Sequence, residues 1–162
     1  MSSDISIKAE SLRDLFLNPI FLPTIFTLCI AQLLKTVIFL LSGRRAKAQE
    51  IIEITIWRTG GMPSSHAAVV TAITTSVAFV EGIGSNLFVF SFWFMLVVMR
   101  DALGVRRAAG LQARALNNLG TQVEEKQGIS FRPVKEIQGH SPLEVVVGAL
   151  LGFFIAAGFA LL

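Results

Sequence analysis

Cysteine, histidine and tyrosine are scarce in this chain. Its 162 residues include one cysteine, two histidines and no tyrosine. A single cysteine excludes a disulfide framework within the chain and a metal site built on cysteines. Cys29 lies inside an apolar run, which predicts a small buried residue and not a reactive thiol. Any chemistry that needs an imidazole therefore depends on His66 and His140.

Charged residues are also scarce, and long apolar runs make up much of the chain. Only 15% of the residues are charged, 53% are hydrophobic and the mean hydropathy is +0.67. The length allows one domain, and a soluble core that absorbs four long apolar segments conflicts with the surface-to-volume ratio of so small a protein. The composition therefore predicts an integral membrane protein whose partners are membrane lipids and not nucleic acid.

The beginning of the chain differs in composition from the rest. Residues 1–18 carry both acidic and basic side chains ahead of the first apolar run. That mixture differs from the short basic start of a cleavable signal peptide. We therefore predict a surface segment over residues 1–18 and a membrane-embedded domain over residues 19–162.

Four apolar runs predict four membrane-spanning helices, at residues 19–41, 63–80, 86–99 and 142–162. The second run carries a stripe of hydroxyl side chains that should face protein and not lipid, formed by Thr71, Thr74, Thr75 and Ser76. The third continues at helical spacing through Arg106 and Arg107, which predicts one long helix that leaves the membrane toward Asn118. The expected fold is an all-α polytopic bundle of about four transmembrane helices.

Polar connections separate these runs near residues 42–62 and 109–140. The first contains an isoleucine-rich stretch, which favours a position along the membrane interface. The second is too long for a simple connector in so small a protein, and loops of this length are often functional. In the last apolar run, Gly148 and Gly152 form a GxxxG pair, which permits close helix contact and suggests homo-oligomerisation through that face.

Basic residues are concentrated in the polar connections, with four over residues 42–58, seven over residues 100–135 and none over residues 81–85. By the positive-inside rule, both connections face the cytoplasm and both chain ends face the opposite side. His66 and His140 each stand at the start of a span that is entered from a basic connection. Both are therefore expected on the cytoplasmic side of the membrane.

The two histidines share one local context. Turn-forming residues precede each of them in the segments GGMPSSH and GHSP, and a membrane-length apolar run follows. Unpaired N–H groups and the helix dipole make a helix start favourable for an anion. Two such starts, each with an imidazole, predict a phosphate site.

Three segments carry a specific resemblance. Residues 58–66, 101–110 and 139–144 read RTGGMPSSH, DALGVRRAAG and GHSPLE. They resemble the divergent branch of the type 2 phosphatidic acid phosphatase superfamily, a membrane family described as related to acid phosphatases and vanadium-dependent haloperoxidases. The resemblance covers roughly residues 35–152, and its first segment is long enough to be a strong signal.

The superfamily's Pro-Ser-Gly-His motif holds phosphate through its serine and its glycine amide, and its histidine protonates the leaving group. The corresponding residues here are Ser64, Ser65 in place of glycine, and His66. The resemblance therefore implies a phosphate-binding role for the two serines and a general-acid role for His66. The added Cβ of Ser65 narrows the approach to phosphate.

A further motif of the superfamily places the nucleophilic histidine four residues before an aspartate and six residues after an arginine. His140 and Glu144 reproduce the first spacing with a longer acid, whereas the arginine position holds Val134. Lys35 and Arg58 are the candidates for the lysine and the arginine of the remaining motif, although no proline follows Arg58.

The chemistry that these residues imply is phosphoryl transfer through a phosphohistidine. His140 attacks phosphorus, Glu144 keeps its other ring nitrogen protonated, and His66 donates a proton to the leaving oxygen. Cations spread the charge on the equatorial oxygens. The candidate cations are Lys35, Arg58, Arg106, Arg107 and Arg132. The scheme needs no cofactor, while Asp101 together with Glu144 leaves a carboxylate-bound Mg²⁺ open.

Simpler interpretations stay open for several of these residues. Ser141 and Glu144, with Pro142 at the first helical position, match a helix capping box, which can coexist with a role in catalysis. Lys35 fits a snorkelling residue as well as a phosphate ligand. Asp101 fits an ion pair within its own helix.

An alternative function from a different class also stays open. A non-catalytic membrane protein would use the same residues to bind an anionic lipid or phosphate, or to scaffold a partner. The valine at position 134 favours this alternative. The presence of both His66 and His140 favours the phosphatase.

Overall fold

The computed structural model describes residues 12–42, 61–134, 136 and 139–162, with only the backbone of Arg106. Its main helices are α1 (Phe21–Leu41), α2 (Ser65–Glu81), α3 (Asn86–Leu103), α4 (Val105–Gln127) and α5 (Pro142–Leu161). A helical turn at residues 12–16 precedes α1, and no strand occurs among the described residues. The predicted all-α membrane bundle is confirmed. Residues 1–11 and 43–60, which include most of the predicted interfacial stretch and Arg58, lie outside the described residues.

Three helical runs of the described chain are long and apolar enough to cross a membrane, namely α1, the run Asn86–Gln127 and α5. The predicted second span corresponds to α2, which has 17 residues. At 1.5 Å per residue it measures about 25 Å, somewhat less than the roughly 30 Å hydrocarbon core. It is nevertheless the central helix, because it packs against α1, α3 and α5.

The hydroxyl stripe of α2 faces protein, as the sequence predicts. All four of its residues are at most 9% exposed. Thr74 donates a hydrogen bond from Oγ1 to the carbonyl oxygen of Ser91 on α3 at 3.1 Å. Such a bond between helices also satisfies a hydroxyl that lipid could not. The stripe therefore fixes α2 within the bundle.

The two glycines of the GxxxG pair pack inside the chain. Gly148 and Gly152 of α5 are both buried, and a Cβ added at either would collide with the carbonyl oxygen of Ser64 or of Ala68, respectively. Their lack of a side chain thus lets α5 approach α2 at backbone distance. The suggested homo-oligomer through this face is corrected, since the face is already occupied by α2.

The third predicted span does not continue as one uninterrupted helix. Gly104, with φ −102° and ψ −82°, separates α3 from α4. The helix then extends to Gln127 and ends at Gly128, which has φ +69° and is the left-handed residue that commonly terminates a helix. The helix thus passes Asn118, the position toward which the sequence predicts it to continue, whereas the predicted polar loop over residues 109–140 is wrong for residues 109–127, which are helical.

The segment after α4 runs back along that helix. Asn117 holds Val134 through two hydrogen bonds, one donated to its carbonyl oxygen at 3.0 Å and one accepted from its N–H at 2.9 Å. The ring of Phe131 lies over Gly120, and Gly139 lies against the backbone of Arg107. A Cβ at either glycine would clash with those neighbours. These contacts return the chain to the start of α5.

The position of Cys29 differs from the predicted one. The sequence predicts a buried residue, but the side chain is exposed on α1. Because α1 is a membrane-spanning helix, an outward apolar side chain faces lipid, where a small sulfur-containing residue is at no disadvantage. Hydropathy alone does not separate the lipid-facing side of such a helix from its protein-facing side.

Candidate functional site

Three helix ends meet at one end of the bundle. The N–H of Ser64, just before α2, donates to the carbonyl oxygen of Glu144 in the first turn of α5 at 2.9 Å. The N–H of His140 points to the carbonyl oxygen of Ala102 near the end of α3 at 3.4 Å. Below them, Ala67, Ala102 and Val145 form a buried apolar cluster. This packing brings the two histidine-containing segments to the same end.

His140 and Glu144 form a direct pair at the start of α5. The imidazole is 3% exposed, and its Nδ1 lies 3.1 Å from Oε2 of Glu144. An ionised carboxylate only accepts hydrogen bonds, so this contact with Glu144 favours the tautomer in which Nδ1 donates and the lone pair of a neutral ring is on Nε2. Nε2 is the nitrogen that an attack on phosphorus requires.

The same carboxylate also caps its helix. Oε2 of Glu144 accepts the N–H of Ser141 at 3.0 Å, and the Oγ of Ser141 accepts the N–H of Glu144 at 3.4 Å. A complete capping box is therefore present, with Pro142 in the first turn. The cap holds the Glu144 carboxylate in one orientation. The same carboxylate can therefore both cap α5 and orient the imidazole of His140.

The three polar residues at the start of α2, Ser64, Ser65 and His66, lie in different surroundings. Ser64 is fully buried and its Oγ accepts the N–H of Ala67 at 3.4 Å, as a helix N-cap does. Ser65 is also buried, whereas the His66 side chain is exposed at the next position. The hydroxyl of Ser64 is thus engaged by the helix, and the histidine of this motif lies at the surface of the bundle end.

Lys35 points into the protein from α1. It is 5% exposed, and its Nζ lies 3.5 Å from the Oγ of Ser65. The ammonium is also attracted electrostatically by Glu144. Its aliphatic stem runs beside Gly61, whose φ of +86° is a conformation that favours glycine. These contacts argue against the snorkelling interpretation, because a snorkelling lysine reaches outward to the lipid headgroups.

A cavity of about 300 Å³ adjoins this cluster. Its lining residues are Gly61, Arg107, Gly110, Leu111, Arg114, Glu136, Gly139 and Glu144. Two arginines, two turns apart on α4, thus face a space that also reaches the carboxylate paired with His140. Neither imidazole is among these lining residues. The lining thus combines two arginines with two carboxylates, of which Glu136 is paired with Arg114.

Several sequence candidates are not brought to this cluster. Arg132 is exposed and follows Phe131, which packs on Gly120. Gly120 is 13 residues, or about 20 Å, along α4 from Arg107, which is well beyond the reach of an arginine side chain. Asp101 is partly buried at the end of α3. No group of three or more potential metal-ligating His, Cys, Asp or Glu residues occurs in the described part of the chain.

Sequence reasoning missed Arg114 and Glu136. The Nε of Arg114 lies 3.4 Å from Oε2 of Glu136, and Asn117 donates to Oε1 of the same carboxylate at 3.1 Å. Both ion-pair partners are well exposed, so the pair itself contributes little stability. The available signal was the spacing of Arg107, Gly110, Arg114 and Asn117, which places them on one face of a helix.

The comparisons with known proteins agree with this organisation. Residues 16–155 match the model of the divergent PAP2 family. The uncharacterized membrane protein YuiD of Bacillus subtilis is 35% identical over 157 aligned residues, with 88% of this chain and 94% of that protein covered. No solved structure matches the chain. Since the family match includes Lys35, both histidines and Glu144, this integral membrane protein belongs to the divergent PAP2 family.

Proposed function

We propose that the protein is a membrane phosphatase that hydrolyses a lipid phosphate or diphosphate through a phosphohistidine intermediate. The observation that carries this proposal is the pair of the buried His140 and the partly buried Glu144, with Nδ1 and Oε2 3.1 Å apart, at the edge of a cavity lined by arginines. A histidine oriented by a carboxylate is the arrangement that makes an imidazole a nucleophile.

In the first step, Nε2 of His140 forms a bond to phosphorus while the bond from phosphorus to the lipid oxygen breaks. His66 donates a proton to that oxygen, and the lipid leaves as an alcohol or, from a diphosphate, as a monophosphate. In the second step, water attacks the phosphohistidine and inorganic phosphate leaves. Glu144 stabilises the positively charged imidazole ring that persists between the two steps.

The cations compensate for the missing arginine at position 134. Val134 is held against Asn117, away from the His140 cluster. Arg107 and Arg114 instead supply positive charge from α4, and Lys35 supplies it from α1. Phosphoryl transfer depends mainly on such charge stabilisation and positioning, and it does not require the charge to come from a particular helix.

Phosphate release by the purified protein tests this proposal. In mixed micelles with phospholipid and isoprenoid phosphates, we expect the wild type to hydrolyse at least one lipid class. Arg107→Ala should lower kcat/KM by about 10- to 100-fold, since a charge-assisted hydrogen bond to phosphate contributes roughly 1.5–3 kcal/mol. Arg100→Ala is the matched control, because Arg100 is exposed on α3 and does not line the cavity. Equal losses in the two variants, or no release from any lipid, would contradict the proposal.

The alternative is a non-catalytic protein that binds an anionic lipid or phosphate. Two observations favour it: the motif arginine is replaced by Val134, and the glycine of the phosphate-binding motif is replaced by Ser65, whose hydroxyl already lies beside Lys35. The same cavity and cations would serve this function. Both functions include phosphate binding, so only a measurement of lipid phosphate hydrolysis distinguishes them.

We further propose that the site faces the cytoplasm, on the basis of the basic residues that flank it. Gln127 ends α4, which begins at the end of the bundle that carries the site, whereas Ser85 precedes α3 at the opposite end. In a Cys29→Ser background, a membrane-impermeant thiol reagent applied to intact cells should label Ser85→Cys and spare Gln127→Cys until the membrane is opened. Labelling in the reverse order would place the substrate in the outer leaflet.

A further inference from the structure

Helix α4 has two faces of opposite character. One stripe follows helical spacing through positions 105, 109, 112, 116, 119 and 123, which hold Val, Ala, Gln, Leu, Leu and Val. Val105 is 68% exposed, Leu116 47% and Leu119 59%, whereas Val123 is partly buried, so the described part of the chain leaves most large side chains of the stripe uncovered. Among the described helices, α4 contacts α3 alone.

The opposite face of α4 is polar and occupied. Arg107, Gly110 and Arg114 line the cavity beside Glu144, and Asn117 binds the returning segment at Val134. The described part of that segment lies on this side of the helix, and its Phe131 ring reaches Gly120 at the edge of the apolar stripe. Among the described residues, the apolar stripe and the cavity therefore lie on opposite faces of α4.

The charges of α4 indicate what covers the stripe. Over residues 105–122 the helix carries three arginines and no acidic residue. Arg106 and Arg107 stand in its first turn, where the positive end of the helix dipole disfavours a cation. An anionic surface next to this turn would offset that repulsion. The turn is also one residue away from α3, which spans the membrane, so such a surface is within reach.

We propose that α4 is an interfacial helix, with its apolar stripe inserted among the lipid headgroups of an anionic bilayer. One apolar face opposite a polar face that carries basic residues, in a helix that directly follows a membrane-spanning helix, is the pattern of a helix that lies in the membrane plane. Gly104, with φ −102° and ψ −82°, interrupts the helix between α3 and α4, at the point where an interfacial α4 has to turn into the membrane plane. Because the cavity is on the other face of α4, it then sits directly above the headgroup layer.

Site-directed spin labels on the full-length protein in phosphatidylglycerol and phosphatidylcholine vesicles test this proposal. In a Cys29→Ser background, Leu116→Cys and Leu119→Cys place a label on the stripe. Asn118→Cys and Glu125→Cys place matched labels on exposed positions of the other side. We expect labels on the stripe to be relaxed more by oxygen than by an aqueous nickel chelate, which gives a positive depth parameter. The two control labels should give negative values.

Four outcomes would overturn the proposal. A negative depth parameter at both stripe positions would place the helix in water. Low accessibility to both reagents would mean that another part of the protein covers the stripe, and dipolar broadening between labels would mean that a second copy does. An unchanged depth in vesicles of phosphatidylcholine alone would exclude the electrostatic contribution. None of these measurements depends on phosphatase activity, so the proposed function is tested separately.

Discussion

Replacing His140 by alanine should abolish lipid phosphate hydrolysis while leaving most of the phosphate affinity. In the proposed mechanism the imidazole acts in the transition state, whereas Lys35, Arg107 and the helix starts supply most of the ground-state binding. Removal of a nucleophile that acts with an orienting partner typically lowers kcat by roughly 10⁴-fold or more. Initial rates of phosphate release, together with calorimetric titration of inorganic phosphate, measure the two effects separately.

Two further variants make this result specific to nucleophilic attack. His140→Gln retains an N–H donor for the partly buried carboxylate of Glu144 but has no nucleophilic nitrogen, so it should be as inactive as His140→Ala and closer to the wild type in stability. His66→Ala should lose activity on lipid substrates and retain most of it on p-nitrophenyl phosphate, because a good leaving group needs little protonation. If the wild type and His140→Ala share one low rate, and both bind phosphate while Arg107→Ala does not, the non-catalytic alternative is correct.

The local parts of this site could be predicted from the sequence because they depend on near neighbours. His140 and Glu144 are four residues apart at a helix start, and that spacing alone brings their side chains together. The capping pattern of Ser141, Pro142 and Glu144 likewise specifies where α5 begins. Hydropathy predicted the apolar helices for the same reason, since each run is long enough to be read in isolation.

The parts that could not be predicted depend on residues far apart in sequence. Arg114 meets Glu136 across 22 residues, and the cavity between them exists only because the chain returns along α4. The extension of α4 from Asn118 to Gln127 was missed because its apolar stripe is interleaved there with asparagine, glutamine and glutamate, which lower its average hydropathy. The side of α5 that carries Gly148 and Gly152 was correctly identified as a contact face, but the partner within the chain could not be read from the pattern.

Gly152→Ala should be the most damaging small substitution in the membrane-embedded part of the chain. A single methyl group at this position would collide with the carbonyl oxygen of Ala68 and approach the backbone nitrogen of Ala72. Backbone atoms within a helix cannot rotate away as a side chain does, so α5 has to move from α2. Overpacking of this kind costs about 1–3 kcal/mol, and a thermal unfolding curve in detergent should shift down by roughly 2–10 °C.

The displacement should also reach the site, because Ser64 at the start of α2 is hydrogen-bonded to Glu144 in the same helix as Gly152. We therefore expect Gly152→Ala to lose activity in step with stability. Gly158→Ala is the matched control on the same helix, since a Cβ there meets nothing within 4 Å. It should be neutral or slightly stabilising, as alanine is the better helix former by about 1 kcal/mol. Equal unfolding temperatures for the two variants would show that α2 and α5 do not meet at backbone distance, and the joined helix starts that form the site would lose their structural basis.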